Sequence, residues 1–221
     1  MTSEHDPARE LLCTVSRRMV RDGLVVGTSG NLSLRTGELV ALTPSGVDYE
    51  TMTAEDVVLV DDSGAVVAGT RAPTSELALH LAAHRRPGTV AVVHTHSPAA
   101  VALSLLTDHV PPVHYQIAMF GGAVRVADYA PFGSDELVAN TMAALGDASA
   151  VVLGHHGTLV LADTLGAAYD GARQLEWLCD VWLRARPVGE PRLLSAEEIS
   201  EALRRFARQR RTVRATTPGT R

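Results

Sequence analysis

Apolar residues recur along this chain with two periods, one of two residues and one near 3.6, and the pattern switches between them repeatedly. Leu11, Leu12, Val15, Met19 and Val20 fall on one stripe and predict a helix from about Ala8 to Asp22, closed by Gly23. Gly27-Thr28-Ser29-Gly30-Asn31 is too glycine-rich for regular structure. Leu32–Arg35 and Glu38–Thr43 alternate as strands around a Thr36-Gly37 turn. Val57–Val60 and Ala65–Ala68 form a second pair around Asp61-Asp62-Ser63-Gly64. A helix is predicted from Thr74-Ser75, one of whose hydroxyls would cap it, to about Arg86, where Pro87-Gly88 stops it.

The run Val90-Ala91-Val92-Val93 that follows predicts a strand covered on both faces, continuing through His94-Thr95-His96. Ser97-Pro98 then opens a helix. Beyond it come a strand at Val124–Ala127 and a helix from Ser134 to Gly146. Strands at Ala150–Leu153 and Thr158–Leu161 flank the turn Gly154-His155-His156-Gly157. Two helices complete the pattern, Thr164 to about Arg186 and, behind the capping box Ser195-Ala196-Glu197-Glu198, one to about Arg211. Without a repeat or linker, this reads as one α/β domain over residues 1–211, with 212–221 expected to be a disordered tail.

Composition narrows the chemistry. The net charge of −5 gives no reason to expect nucleic acid, and the arginines gathered near the C-terminus read as a solvated helix face. No apolar run reaches membrane-spanning length, and no signal-peptide core is seen, so a cytoplasmic protein with no membrane partner is expected. Cys13 and Cys179 lack metal-ligand spacing and fit reduced core thiols. All 20 basic residues are arginine. With no lysine in the chain, Schiff-base catalysis and a P-loop lysine are both excluded.

Three histidine groups could then serve a metal. His94 and His96 would share a strand face about 6.6 Å apart, close enough to converge on one ion through Zn–N bonds of about 2.0–2.1 Å; two polar residues ending a strand is the plainer alternative. His155 and His156 sit in a glycine-flanked turn, and since neighbouring side chains diverge, only one of them can face an ion. Glu76, His80 and His84 are stacked four apart on one helix, but its ends are about 12 Å apart and cannot share an ion. His80 is therefore expected to pack or to lie behind a metal ligand, and His84 to be at the surface. A glutamate at a helix start also simply suits the helix dipole. Gly30-Asn31, Ser45-Gly46 and Thr74-Ser75 each combine a turn or helix-start N–H with a small polar group, a combination that can hold phosphate without lysine.

In order along the chain, GTSGNLSLR, LTPSGVDYETMT, APTSELALHLAAH, VAVVHTHSPAAVALS, PPVHYQIAMFGG, YAPFG, GHHGTLV and LLSAEEISEALRRF resemble the class II aldolases of sugar phosphates, within the aldolase/epimerase/adducin-head superfamily. The match runs from Gly27 to Phe206 and is closest to members acting on L-fuculose 1-phosphate. The resemblance implies a single-domain α/β/α sandwich whose central, mostly antiparallel sheet is flanked by helices. It implies one Zn2+ per subunit, or another divalent ion, on His94, His96 and His156, with Glu76 completing the ligand set. Gly30, Asn31, Ser45, Gly46, Thr74 and Ser75 match the family's phosphate pocket. Glu76 and Tyr115 match its catalytic residues, Tyr115 reaching a neighbouring subunit's site in a homotetramer. The implied reaction is reversible cleavage of a ketose 1-phosphate to dihydroxyacetone phosphate and an aldehyde such as L-lactaldehyde. An L-ribulose-5-phosphate 4-epimerase, a methylthioribulose-1-phosphate dehydratase and a non-catalytic adducin-like module are the alternatives on this scaffold. The chain lacks the tyrosine expected after Phe206.

Overall fold

A computed structural model describes residues 4–216. Strand β5 (Ala91–Thr95) lies at its centre with all five residues buried, as a continuous apolar run requires. Around it are β1 (Asn31–Thr36), β2 (Leu39–Leu42), β3 (Val58–Val60), β4 (Val66–Ala68), β6 (Val126–Ala127), β7 (Ala150–Leu153) and β8 (Gly157–Ala162). These form one sheet in the order β4-β3-β2-β1-β5-β8-β7-β6, antiparallel throughout except for the parallel β6–β7 pair. The helices are α1 (Asp6–Arg21), α2 (Leu77–His84), α3 (Pro98–Ser104), α4 (Asp135–Leu145), α5 (Leu165–Ala185) and α6 (Ala196–Thr216). None of the described helices is long and apolar enough to cross a membrane.

Alternation along the strands sends side chains to two cores. On one face Leu32, Val93 and Val160 pack with Leu12, Val15 and Met19 of α1 and Leu175, Leu178 and Cys179 of α5. On the other, Val92, Leu159 and Leu161 pack with Leu79 and Ala83 of α2 and Leu137 and Leu145 of α4. This is the sandwich of helices about a mostly antiparallel sheet. Cys13 and Cys179 are both buried and unpaired. On α1 the buried stripe is Leu12, Val15 and Met19, whereas Leu11 is 43% exposed and lies at its edge.

Several boundaries differ from the sequence reading. Helix α2 begins at Leu77, and its N-cap is Glu76 rather than a hydroxyl residue. Thr74 folds back instead, its Oγ1 accepting the Glu76 N–H at 3.3 Å. Strand β5 stops at Thr95, one residue short of His96, whose N–H donates to Leu24 O at 3.1 Å. A 3-10 helix over Tyr115–Phe120 has no counterpart in the apolar pattern; it is opened by His114, whose Nδ1 accepts the Gln116 N–H. Helix α6 passes its expected end to reach Thr216, with no glycine or proline until Pro218 to stop it. The expected tail beyond Thr216 lies outside the described residues.

His84 corrects a clear expectation: it is only 6% exposed, not a surface residue. The face of α2 carrying Glu76, His80 and His84 is turned toward β1, where Ser33 Oγ lies 2.8 Å from His84 Nε2. Burial, and after it the Arg35 charge, push His84 down to about 4. Between about pH 6.5 and that value the unfolded chain accepts a proton that the folded chain refuses, so stability falls as pH falls through the window.

Two predictions follow from this packing. His84→Gln keeps a nitrogen donor at the Nε2 position without titrating, so its loss of stability from pH 6.5 to 4 should be shallower than that of wild type, by up to about 1.4 kcal/mol per pH unit. Urea midpoints at pH 7 and pH 5 measure this, and identical slopes would refute it. The second concerns Gly157, where a Cβ would sit 1.9 Å from Thr95 O. Gly157→Ala must therefore force β8 from β5, and a loss of about 3 kcal/mol or more is expected in the same unfolding assay.

Candidate active site

Three chain segments converge at one end of the central strands. His94 faces the α2 side of the sheet, opposite Asn31 in the β1–β5 register. His96 lies two residues on and keeps the same side, its Nε2 3.0 Å from His94 Nε2. The β7–β8 turn supplies His156. Among the described residues His155 is the one non-glycine with positive φ, at 57°. This left-handed residue reverses the chain tightly, leaving His155 exposed beside Tyr129 while the His156 N–H donates to Leu153 O at 3.1 Å. His156 thus turns in and His155 out, a choice that spacing left open. Gly157 has no Cβ, so the turn closes against the Thr95 carbonyl.

Glu76 completes the group from the N-terminus of α2. Its Oε2 is 3.1 Å from His94 Nε2 and its Oε1 3.3 Å from His156 Nε2. The three imidazoles stand nearly perpendicular to one another, with centroids 4.8–4.9 Å apart. One ligand atom from each of the four residues lies within 4.8 Å of every other. Two ligands of a tetrahedral ion about 2.0–2.1 Å from it would themselves be roughly 3.3 Å apart, which the observed 3.0, 3.1 and 3.3 Å separations match.

The protonation pattern also suits a cation. His94 Nδ1 lies 2.9 Å from Thr158 O and must donate to it, so in the neutral ring Nε2 presents a bare lone pair to the cluster. Glu76 Oε1 is buried without a hydrogen-bond partner. Burial alone would raise the Glu76 carboxyl, yet His94, with Asn31 and His156, holds it well below the usual carboxylate range. Burial would lower His94, but the Glu76 charge raises it. His96 is pushed down to about 3 and His156 to about 4, by burial first and then by His94. The Glu76 carboxylate thus holds a proton on His94 while His96 and His156 stay neutral, and a divalent ion, in that proton's place, would meet three imidazole nitrogens and a carboxylate.

A cleft of 120 Å³ opens beside this group, and Gly30, Asn31, Ser45, Gly46, Thr74 and Ser75 all line it with Glu76, His96 and His156. Gly30 is in the left-handed region, and a Cβ there would meet Val25 Cγ1 at 2.6 Å and His94 O at 2.8 Å. Its carbonyl accepts the Tyr49 hydroxyl at 2.5 Å, which pins the loop. Thr28, Ser29 and Phe132 also line the cleft and were not singled out from sequence. Only the neighbouring glycines hinted at the first two, and Phe132 carries no polar signal at all. Tyr115 does not line this cleft. It is 53% exposed, close to His114 and stacked over Phe206. A larger hollow of 670 Å³ lies at the opposite end of β5 and β8, lined by Arg86, Phe120, Asp147 and Ser149 among others, away from the histidines.

With this geometry established, comparison with known proteins is direct. Residues 10–183 match the model of the class II aldolase and adducin N-terminal domain. The chain is 36% identical over 201 residues to a 5-deoxy-D-ribulose 1-phosphate aldolase of Bacillus thuringiensis serovar kurstaki, covering 90% of this chain and 94% of that one. It is 37% identical over 202 residues to the L-fuculose phosphate aldolase of Escherichia coli K12, covering 90% and 93%. A solved L-fuculose 1-phosphate aldolase superposes with a TM-score of 0.87 at 35% identity, covering 90% of this chain and 95% of that one. On these grounds the chain belongs to the class II aldolase family.

Proposed function

We propose that the protein is a zinc-dependent aldolase cleaving a deoxyketose 1-phosphate to dihydroxyacetone phosphate and a small aldehyde. The observation that carries this reading is the Glu76/His94/His96/His156 group at the base of a polar, lysine-free cleft. His94, His96 and His156 would hold the ion, with Glu76 as the ligand that yields to substrate. Zinc there would polarise the ketose oxygens as a Lewis acid, the task a lysine performs in Schiff-base aldolases.

The chain's own groups supply the rest. Gly30, Asn31, Ser45, Gly46, Thr74 and Ser75 would bind the phosphate by N–H and hydroxyl donors. Glu76 stands between that pocket and the histidines, held ionised at rest; once it has yielded the ion to substrate and taken up a proton from solvent, it is placed to return that proton to C3 as the C3–C4 bond breaks. In the synthetic direction it removes the same proton. In that direction Tyr115 would donate its phenol proton to the aldehyde oxygen that becomes the C4 hydroxyl, and in cleavage its phenolate would take that proton back, serving the site of a neighbouring copy in a homotetramer. Its exposure, and its position off the cleft of its own chain, support that assignment.

The sugar is narrowed by shared chemistry. Curated relatives are named for L-fuculose phosphate, 5-deoxyribulose 1-phosphate and 5-methylthioribulose 1-phosphate, all of which end in an apolar methyl or methylthio group. Phe132, 75% exposed on the cleft wall, offers an apolar surface to such a terminus. A cleavage screen over these three sugars and a fully hydroxylated pentulose 1-phosphate, following dihydroxyacetone phosphate release, tests the reading. The deoxy and methylthio substrates should be preferred, and equal rates on all four would remove the role of Phe132.

Two variant sets test the residues. His156→Ala should purify with little zinc and His155→Ala with close to a full complement; the reverse result would exchange their roles. Glu76→Gln should keep most of its zinc but lose about two to four powers of ten in turnover. Its exchange of the dihydroxyacetone phosphate proton with solvent should fall in parallel, whereas Tyr115→Phe should slow cleavage and spare exchange. Wild-type exchange in Glu76→Gln would place the base elsewhere.

A further inference from the structure

Behind Glu76 runs a buried chain of hydrogen bonds that the reaction as described does not use. Asn31 Nδ2 is 2.9 Å from Glu76 Oε2, and Asn31 Oδ1 is 2.5 Å from His80 Nε2. His80 Nδ1 is 2.6 Å from Ser33 Oγ, which is 2.8 Å from His84 Nε2. All four residues behind Glu76 are buried, and His84 ends the chain.

The direction of this chain follows from donor and acceptor capacity alone. A carboxylate only accepts, so Asn31 must turn its amide nitrogen toward Glu76 and its carbonyl toward His80. That carbonyl also only accepts, so His80 Nε2 carries a hydrogen. In the neutral ring Nδ1 then accepts from Ser33, and Ser33 accepts from His84. Every donor in the series points toward Glu76, an arrangement in which each bond polarises the next. Burial pushes His80 down to about 3, in keeping with a neutral ring.

We propose that His80 and Ser33 are positioning residues that lock the Asn31 amide with its nitrogen toward Glu76 and the cleft. Asn31 lines that cleft. A reversed amide would set its carbonyl oxygen against the Glu76 carboxylate and present an acceptor to an anionic substrate. His80, which lines neither the cleft nor the ligand group, would thereby govern both phosphate affinity and the alignment of the acid/base. The kinetic half of this inference rests on the function proposed above; the assignment of the hydrogen does not.

The experiment therefore has two arms. In 15N-histidine-labelled wild-type protein as purified, long-range proton–nitrogen correlations, with His80 assigned from His80→Gln, should show a hydrogen on Nε2. An unprotonated Nε2 overturns the proposal, whatever the protein catalyses. In the second arm, His80→Gln retains a donor in the Nε2 position and His80→Asn moves it to the Nδ1 position, leaving Asn31 Oδ1 without a partner. His80→Gln should exceed His80→Asn by about tenfold or more in kcat/KM, with KM raised and kcat lowered in the Asn variant. A purely structural histidine would lower the melting temperature of both variants without separating them in KM and kcat, and that result overturns the positioning role. A wild-type protein inactive on every ketose 1-phosphate would sink the functional reading while leaving the first arm to decide the rest.

Discussion

The arrangement depends on a buried carboxylate. Glu76 is 5% exposed, and a carboxylate in that position is tolerated only where charge or hydrogen bonds replace water. Here His94, His156 and Asn31 surround it. These partners come from different elements: β5, the β7–β8 turn and the start of β1. The pairing of β1 and β8 with β5 brings them to one place. The Glu76–histidine group and the packing of the central sheet are thus one constraint seen from two sides.

Antiparallel order explains why the ends meet. β5 runs toward the site and delivers histidines just before and just after its last residue, Thr95, while β8 begins there with the glycine that lets the strands touch. A side chain at Gly157 would strike Thr95 O, so the turn carrying His156 can close only because that residue is glycine. The left-handed His155 then fixes which imidazole points inward.

Behind the site, two periodicities cross. Asn31 and Ser33 lie two apart on β1 and share its α2 face; Glu76, His80 and His84 lie four apart on α2 and share one helix face. Facing each other, they interleave as Glu76, Asn31, His80, Ser33, His84, every contact a hydrogen bond. A polar ladder of this kind inside an otherwise apolar layer costs stability unless it is satisfied along its length, as each of its inner contacts is here.

Much of this was legible in the chain itself. The continuous apolar run fixed β5 as a doubly covered strand, because no residue in it could face water without cost. The alternation and turn residues marked β1, β2, β7 and β8. The spacing of Glu76, His80 and His84 placed them on one helix face, and the lack of lysine removed whole classes of chemistry. Spacing could not show which face of α2 met the sheet, and so it put His84 in solvent. Nor could it find Ser33 as the partner of two histidines, since that depends on β1 packing against α2, residues some 50 positions apart. The choice of His156 over His155 turned on one backbone dihedral, and the cleft position of Phe132 on a loop with no periodic signal. Local pattern determined the elements and the residue types available for chemistry. Register and packing between distant segments decided which of those residues meet.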